Sequence, residues 1–166
     1  MLHEMTIAAL TQDPETNAPI LFLKSLDGEK TLPIWIGMLE AVSIASALQN
    51  IAFDRPMTHD LFKNFIEQQQ IDLVKIEVCD LKNNTYYARI YFTSNQGDFD
   101  MDARPSDAIA LAIRFKKRIY VDDKVLDNSP SDRDSSYEVL DDSEEGKKWA
   151  DYLEKLNGED FGKYKM

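Results

Sequence analysis

Residues 20–37, ILFLKSLDGEKTLPIWIG, contain two apolar runs separated by a turn. The runs at 20–26 and 31–36 have the length and the aliphatic and aromatic content of β-strands. Asp27-Gly28 between them is a hairpin signal, because both central residues of a type I′ turn need a positive φ. Pro33 has no backbone N–H to donate, so the return strand is predicted to lie at a sheet edge or to carry a bulge.

Strand and helix patterns follow one another irregularly along the rest of the chain. Asn83-Asn84 predicts a second hairpin turn. Helical periodicity covers 38–49, 58–70 and 105–117, and further strand patterns cover 5–10, 72–81, 86–93, 98–103 and 119–121. Hairpins without regular βαβ alternation predict an α+β fold with a mixed, largely antiparallel sheet, about three packed helices and a C-terminal helical tail.

The three predicted helices each have an apolar face. Thr58 is the predicted N-cap of the second helix. The residues predicted to face the core are Ala41, Ile44, Ala45 and Leu48 in the first helix, Leu61, Phe62, Phe65 and Ile66 in the second, and Ala108, Leu111, Ala112 and Phe115 in the third.

The character of the sequence changes after Asn128. Ser129 begins a polar segment that runs to residue 136, and a single helix is predicted at 142–157. We therefore divide the chain into a main domain at 1–128 and an acidic linker with a C-terminal helix at 129–166. Neither part is basic, because the first carries 13 basic and 19 acidic side chains and the second 6 and 11.

The net charge of −11 argues against a broad nucleic-acid-binding surface. Proteins that bind nucleic acid by neutralising many phosphates have an excess of Lys and Arg. Phosphate chemistry in this chain therefore requires local arginine side chains or a bound cation that offsets the protein's own negative field.

Composition also indicates the cellular compartment. The one cysteine, Cys79, lies in an apolar alternating run and cannot form an internal disulfide, as is typical of a reducing compartment. No apolar run reaches the length of about 20 residues that a bilayer requires, and the N-terminal residues lack the features of a signal peptide. We expect a cytoplasmic protein that does not bind membranes.

Similar short patterns recur at the predicted helix starts. Residues 40–45, EAVSIA, match 107–112, DAIALA, and Arg55-Pro56 is followed by a hydroxyl residue and an acid, as is Arg104-Pro105. One interpretation is ordinary helix-start chemistry, with proline in the first turn and an acid that complements the dipole. The other is that arginine and free helix N–H groups form phosphate sites. The residues alone leave both open.

Three ordered motifs, LPIWIGMLEA (32–41), RPMTHDL (55–61) and DARPSDAIALA (102–112), resemble the bifunctional nuclease domain. The resemblance covers roughly residues 1–128. It implies a compact α+β domain, often oligomeric, that acts on DNA and RNA. Some relatives carry a helical-hairpin module after this domain, but the sequence after Asn128 has no clear second arm, so this module is not expected here.

Hydrolysis of a phosphodiester needs an activated water and stabilisation of charge on the phosphate. In so acidic a protein, we expect a carboxylate-bound Mg²⁺ or Mn²⁺. The predicted catalytic residues are Glu40, His59, Asp60, Arg104 and Asp107; the predicted phosphate-binding residues are Arg55, Thr58, Arg104 and Ser106; the predicted metal ligands are Glu40, Asp102 and Asp107. Each also has a structural explanation, such as a helix-dipole acid, a strand-end acid or an internal ion pair.

Two classes of function follow from the sequence. The first is a metal-dependent nuclease with little sequence preference. The alternative is a non-catalytic module that binds a small anion or a partner protein and forms a homo-oligomer, with a dimer favoured.

Overall fold

The structure, a computed structural model, describes residues 1–129. The predicted helix at 142–157 and the predicted linker beyond Ser129 lie outside the described residues. In the described chain the elements, in order, are β1 (Leu2–Gln12), β2 (Pro19–Ser25), β3 (Thr31–Trp35), α1 (Met38–Leu48), α2 (Thr58–Gln68), β4 (Asp72–Lys82), β5 (Thr85–Ser94), β6 (Gly97–Ala103), α3 (Pro105–Phe115), β7 (Arg118–Asp122) and α4 (Asp123–Asn128).

The strands of the described chain form one seven-stranded sheet in the order β3-β2-β1-β7-β4-β5-β6. All neighbours are antiparallel except β4 and β7, which are parallel. Two three-stranded meanders, β1–β3 and β4–β6, are thus joined through β7. The predicted α+β fold with a mixed, largely antiparallel sheet is confirmed. Pro33 lies in the edge strand β3, as predicted from its missing backbone donor.

The two hairpin turns differ from each other. Asn83 and Asn84 both have positive φ, 50° and 58°, and form the two-residue connection between β4 and β5. In the β2–β3 connection only Gly28 has positive φ, 79°. The hairpin predicted at Asp27-Gly28 is confirmed, but its turn is not of type I′, because five residues rather than two connect these strands.

The helices α1 and α3 pack on each other, and α3 also packs on the sheet. As predicted, Ala41, Ile44 and Ala45 of α1 and Ala108, Leu111 and Ala112 of α3 are buried. These small side chains let the two helix backbones approach closely, which brings the N-termini of α1 and α3 together.

The second helix departs from its prediction. Ile66 is buried, but Leu61 and Phe65 are exposed, as is Leu48 at the end of α1. Thr58 is the first helical residue and Met57 is the N-cap, so the predicted capping role of Thr58 is wrong. Within residues 1–129, no helix has the length and apolar character needed to cross a membrane.

Candidate active site

Each of α1, α2 and α3 carries an acidic residue at its third position: Glu40, Asp60 and Asp107. An acid in the first turn is favoured there, because the N–H groups at a helix start lack intrahelical partners. In this fold each of the three carboxylates also accepts a hydrogen bond from an arginine side chain. The interactions join helix starts that are far apart in the sequence.

Arg104, the N-cap of α3, binds carboxylates from two helices. Its Nε and Nη2 donate to Oδ2 and Oδ1 of Asp107 at 2.8 and 3.2 Å, and its Nη1 donates to Oε1 of Glu40 at 2.8 Å. These bonds use three of the five N–H donors of a guanidinium group. The other two have no protein partner within residues 1–129, and the side chain is 64% exposed, so a ligand can reach them.

The Arg104–Asp107 pair is held in its charged form. Partial burial raises the pKa of the Asp107 carboxyl group, but hydrogen bonds from Arg104 and His59 outweigh this effect and leave that pKa below its ordinary value. Hydrogen bonds to Asp107 and Glu40 raise the pKa of Arg104 still further above neutrality. The guanidinium is therefore a fixed positive charge in the cluster.

His59 connects Asp107 to α1. Its Nε2 lies 2.9 Å from Oδ1 of Asp107, and its Nδ1 lies 2.7 Å from Oγ of Ser43. An ionised carboxylate only accepts hydrogen bonds, so Nε2 carries a proton and donates it to Asp107. In the neutral ring, Nδ1 then accepts from the Ser43 hydroxyl. Both ring nitrogens are engaged, and the side chain is only 16% exposed.

Arg114 forms a second arginine–carboxylate pair behind this cluster. Its Nε donates to Oδ1 of Asp60 at 2.7 Å, its Nη2 to the carbonyl oxygen of Ser43 at 3.2 Å, and its Nη1 to that of Ala110 at 3.0 Å. The side chain is 6% exposed. Arg114 therefore ties α3 to both α1 and α2 from a buried position.

A cleft of about 350 Å³ opens beside Arg104. It is lined by residues 34–37 at the end of β3 and just after it, by Glu40, by residues 84–86 at the start of β5 and by residues 104–106. Ser106 is only 6% exposed, and its hydroxyl has no hydrogen-bond partner within residues 1–129. Among the predicted site residues, the cleft brings together Glu40, Arg104 and Ser106.

Gly37 leaves room for the Glu40 carboxylate next to the backbone. A Cβ atom placed on Gly37 would lie 2.2 Å from Oε2 of Glu40, well inside van der Waals contact. Only a residue without a side chain allows the carboxylate to lie over the backbone at this point. The glycine that ends the β3 run therefore has a role in the site as well as in the turn.

Other predicted site residues lie elsewhere. In the register of β5 and β6, Asp102 lies opposite Arg89. The adjacent residues Ala103 and Ala88 also lie opposite each other, on the helix side of the sheet. Because side chains alternate along a strand, Asp102 points to the opposite face of the sheet. Arg55 and Thr58 are exposed before and at the start of α2, and neither side chain makes a hydrogen bond or ion pair within the described chain.

The predicted metal ligands are consequently not assembled as a set. In the part of the chain that the structure describes, no group of three or more His, Cys, Asp or Glu side chains is placed to hold a metal ion. Glu40 and Asp107 meet at Arg104, but Asp102 is separated from them by the sheet.

Two residues of the network, Ser43 and Arg114, were not predicted from the sequence. Ser43 lies three residues after Glu40, on the same side of α1, and Arg114 lies seven residues after Asp107, on the same side of α3. A polar residue that follows a helix-start acid at helical spacing is the signal that could have indicated them.

The fold and this cluster define an α+β domain whose helix starts gather carboxylates, arginines and a histidine beside a cleft. A family model described as "Bifunctional nuclease domain" matches residues 21–134, which include every residue of the cluster. The chain belongs to the bifunctional nuclease family.

Individual relatives agree with this assignment. The chain is 32% identical over 164 residues to an uncharacterized protein of Mycobacterium tuberculosis, with 96% of this chain and 98% of that protein covered. It is 27% identical over 113 residues to bifunctional nuclease 1 of Oryza sativa subsp. japonica, which covers 66% of this chain and 34% of the plant protein. It is 30% identical over 106 residues to bifunctional nuclease 2 of Arabidopsis thaliana, which covers 61% and 32% respectively. The match thus spans about a third of these plant proteins.

Proposed function

We propose that this protein hydrolyses phosphodiester bonds in DNA or RNA at the cleft beside Arg104. The observation that supports this most is the guanidinium of Arg104, which two carboxylates hold rigidly while two of its N–H donors remain available. A fixed donor pair suits the phosphate group, whose charge increases on its oxygens during hydrolysis. Family membership supports the same reaction class.

The charge of the network explains why a cation belongs to this proposal. Glu40, Asp60 and Asp107 contribute three negative charges, and Arg104 and Arg114 contribute two positive charges. These five charges sum to −1, so the network does not by itself attract a phosphodiester. A divalent cation reverses that balance and would neutralise charge on the phosphate.

Within residues 1–129, the protein supplies at most two carboxylates near that position, Glu40 and Asp107. Mg²⁺ is commonly held by one or two carboxylates together with substrate phosphate and water. This arrangement needs no preformed set of three protein ligands, so the absence of such a set in residues 1–129 is compatible with it. We therefore propose that Mg²⁺ or Mn²⁺ binds together with the substrate.

The residues take different roles in the proposed reaction. Glu40 lines the cleft and accepts the proton of the water that attacks phosphorus, while the ester P–O bond breaks and the leaving oxygen takes a proton from solvent. Asp107 orients the Arg104 guanidinium through two hydrogen bonds. His59 holds Asp107, and Asp60 secures the helix starts through Arg114.

Glu40→Gln is expected to lower kcat for a single-stranded DNA or RNA substrate by about a hundredfold or more, the range of a lost general base. Wild-type protein should cleave the substrate in Mg²⁺ or Mn²⁺ and stop in EDTA. Gly37→Ala should also lower kcat, because its Cβ displaces the Glu40 carboxylate. Initial rates measure kcat, and thermal unfolding measures whether each variant keeps its stability.

Glu67→Gln is the matched control, since Glu67 is an exposed acid of α2 that pairs only with Lys63 within the described chain. Its activity should equal that of wild type. Full activity in Glu40→Gln would contradict the assigned role of Glu40. A wild-type protein that cleaves the substrate in neither Mg²⁺ nor Mn²⁺ would contradict the proposed reaction.

Self-association is a second candidate property, favoured by an exposed apolar stripe on α2. Met57, Leu61 and Phe65 recur every four residues and are 40%, 59% and 53% exposed. Such a stripe is self-complementary when two copies meet about a two-fold axis.

Sedimentation velocity at several concentrations should show a dimer of the full chain and a monomer for the double variant Leu61→Glu, Phe65→Glu. The exposed Leu26→Glu substitution in the β2–β3 turn is the control and should leave the dimer intact. A wild-type chain that stays monomeric at every concentration would exclude this candidate.

A further inference from the structure

An aromatic residue lies at the cleft beside Arg104. Trp35, the last residue of β3, lines the cleft and is 45% exposed, although its indole ring is one of the largest apolar groups in the chain. Its Nε1 donates to Oδ2 of Asp13 at 3.0 Å. The ring is therefore held in place by its one polar atom while part of its surface stays open. Fixed, open aromatic rings of this kind are the platforms on which nucleic-acid bases stack.

Two polar groups in the same cleft lack protein partners. Ser106 is a cleft residue that is only 6% exposed, and its hydroxyl makes no hydrogen bond within residues 1–129. Asn84 also lines the cleft, and its side-chain amide makes no hydrogen bond within the described chain. Buried polar groups are almost always satisfied by protein, water or ligand. Ser106 follows Arg104 by two residues, so a single anion can reach both.

The size and the charge of the protein restrict what enters. A volume of about 350 Å³ lies at the lower end of small-ligand sites and suits one nucleotide rather than several. Affinity for duplex nucleic acid rests mainly on many basic contacts to phosphate, which a chain of net charge −11 does not offer. Single strands instead have unstacked bases that an aromatic side chain can take up.

We infer that the cleft binds one nucleotide of a single-stranded nucleic acid, with its phosphate on Arg104 and Ser106 and its base on Trp35. The Asn84 amide faces the same nucleotide and offers both a donor and an acceptor to the base edge. This inference rests on the proposed function in one respect, namely that a phosphate binds to Arg104. Single-strand selectivity therefore comes from stacking and from one phosphate contact.

The test uses the fluorescence of Trp35 in the full-length chain. Because the sequence has two tryptophans, Trp149→Phe leaves Trp35 as the sole reporter. A tetranucleotide of thymidine with phosphorothioate linkages, which slow cleavage, is added with Mg²⁺ so that the cation of the proposed complex is present. It should quench this fluorescence in a saturable manner. A blunt-ended duplex without unpaired nucleotides and inorganic phosphate should each cause no quenching.

Substitutions in that sole-tryptophan chain then locate the ligand. Ser106→Ala should raise the Kd about fivefold or more without lowering the Tm, since the hydroxyl it removes has no described protein partner. Asn84→Gly should also weaken binding, while Asn83→Gly should not, since both keep the positive φ of the turn but only Asn84 lines the cleft.

Trp35→Ala is tested by the anisotropy of a fluorescein-labelled strand. Loss of a stacked base should raise the Kd roughly five- to hundredfold, and Trp35→Phe should stay within about threefold of wild type. Tyr87→Ala is the control, because Tyr87 is a similarly exposed aromatic residue that does not line the cleft.

The outcomes separate this inference from the proposed function. Quenching by the single strand without cleavage in any metal would support the inference and contradict the proposed function. Cleavage without quenching, or equal quenching by duplex or by phosphate alone, would overturn the inference and leave the hydrolytic proposal standing.

Discussion

Arg104→Lys is expected to lower kcat/KM for phosphodiester hydrolysis by about a hundredfold or more while the fold stays intact. Arg104 binds Asp107 through two hydrogen bonds, binds Glu40 through a third and keeps two planar donors for phosphate. Lysine keeps the positive charge but cannot make all of these contacts at once. Loss of one preorganised donor to a developing charge typically costs two to three orders of magnitude, roughly 10²–10³ in rate.

Stability should change little in this variant, because the Arg104 side chain is 64% exposed and exposed ion pairs contribute about 1 kcal/mol or less. Steady-state kinetics and thermal unfolding measure the two quantities. Arg118→Lys is the matched control, since Arg118 is 70% exposed and pairs with Glu4 far from the cleft. An Arg104→Lys enzyme with more than a third of wild-type activity would show that the guanidinium does not hold the phosphate.

The sequence was sufficient for the fold because the decisive patterns are local. Helical periodicity placed the buried faces of α1 and α3, and the missing N–H of Pro33 placed β3 at the edge. The turns were less predictable. Asp27-Gly28 has the composition of a two-residue hairpin, yet the strands on either side stop short of it and leave a longer connection.

The site was predictable only in part, because it depends on long-range geometry. The repeated helix-start pattern correctly indicated that Glu40 and Asp107 occupy equivalent positions, and the packing of α1 on α3 brings them to one arginine. The pattern at Arg55 is placed differently. Arg104 immediately precedes α3, whereas Arg55 lies three residues before α2, so the two arginines do not have equivalent positions.

Asp102 shows why strand residues are harder to assign than helix residues. It is separated from Arg104 by a single residue, and nothing local distinguishes an acid that enters the site from one on the opposite face. The distinction depends on the register of β6 against β5, where a shift of one residue would exchange the two faces. Register is set by the whole meander and by the core face of β5, so it cannot be read from the acid and its neighbours.

Arg114→Met is expected to lower the free energy of unfolding by about 2–3 kcal/mol, which corresponds to a fall in Tm of roughly 5–10 °C for a chain of this size. Arg114 is the buried arginine of the network, and its side chain joins α3 to Asp60 of α2 and to the Ser43 carbonyl of α1. Methionine fills similar volume but leaves that carboxylate and that carbonyl without their donor. The expected loss is below the full cost of an unpaired buried charge, since Asp60 is 34% exposed and gains water.

The matched control for this prediction is Arg89→Met, because Arg89 also pairs with an aspartate, Asp100, but is 49% exposed on the sheet. Chemical denaturation should show a change below about 1 kcal/mol for Arg89→Met. Equal losses in the two variants would mean that burial does not strengthen the Arg114 pair. In that case the packing of α1 on α3, rather than the Arg114 side chain, would be what holds the helix starts together and keeps Glu40 within reach of Arg104.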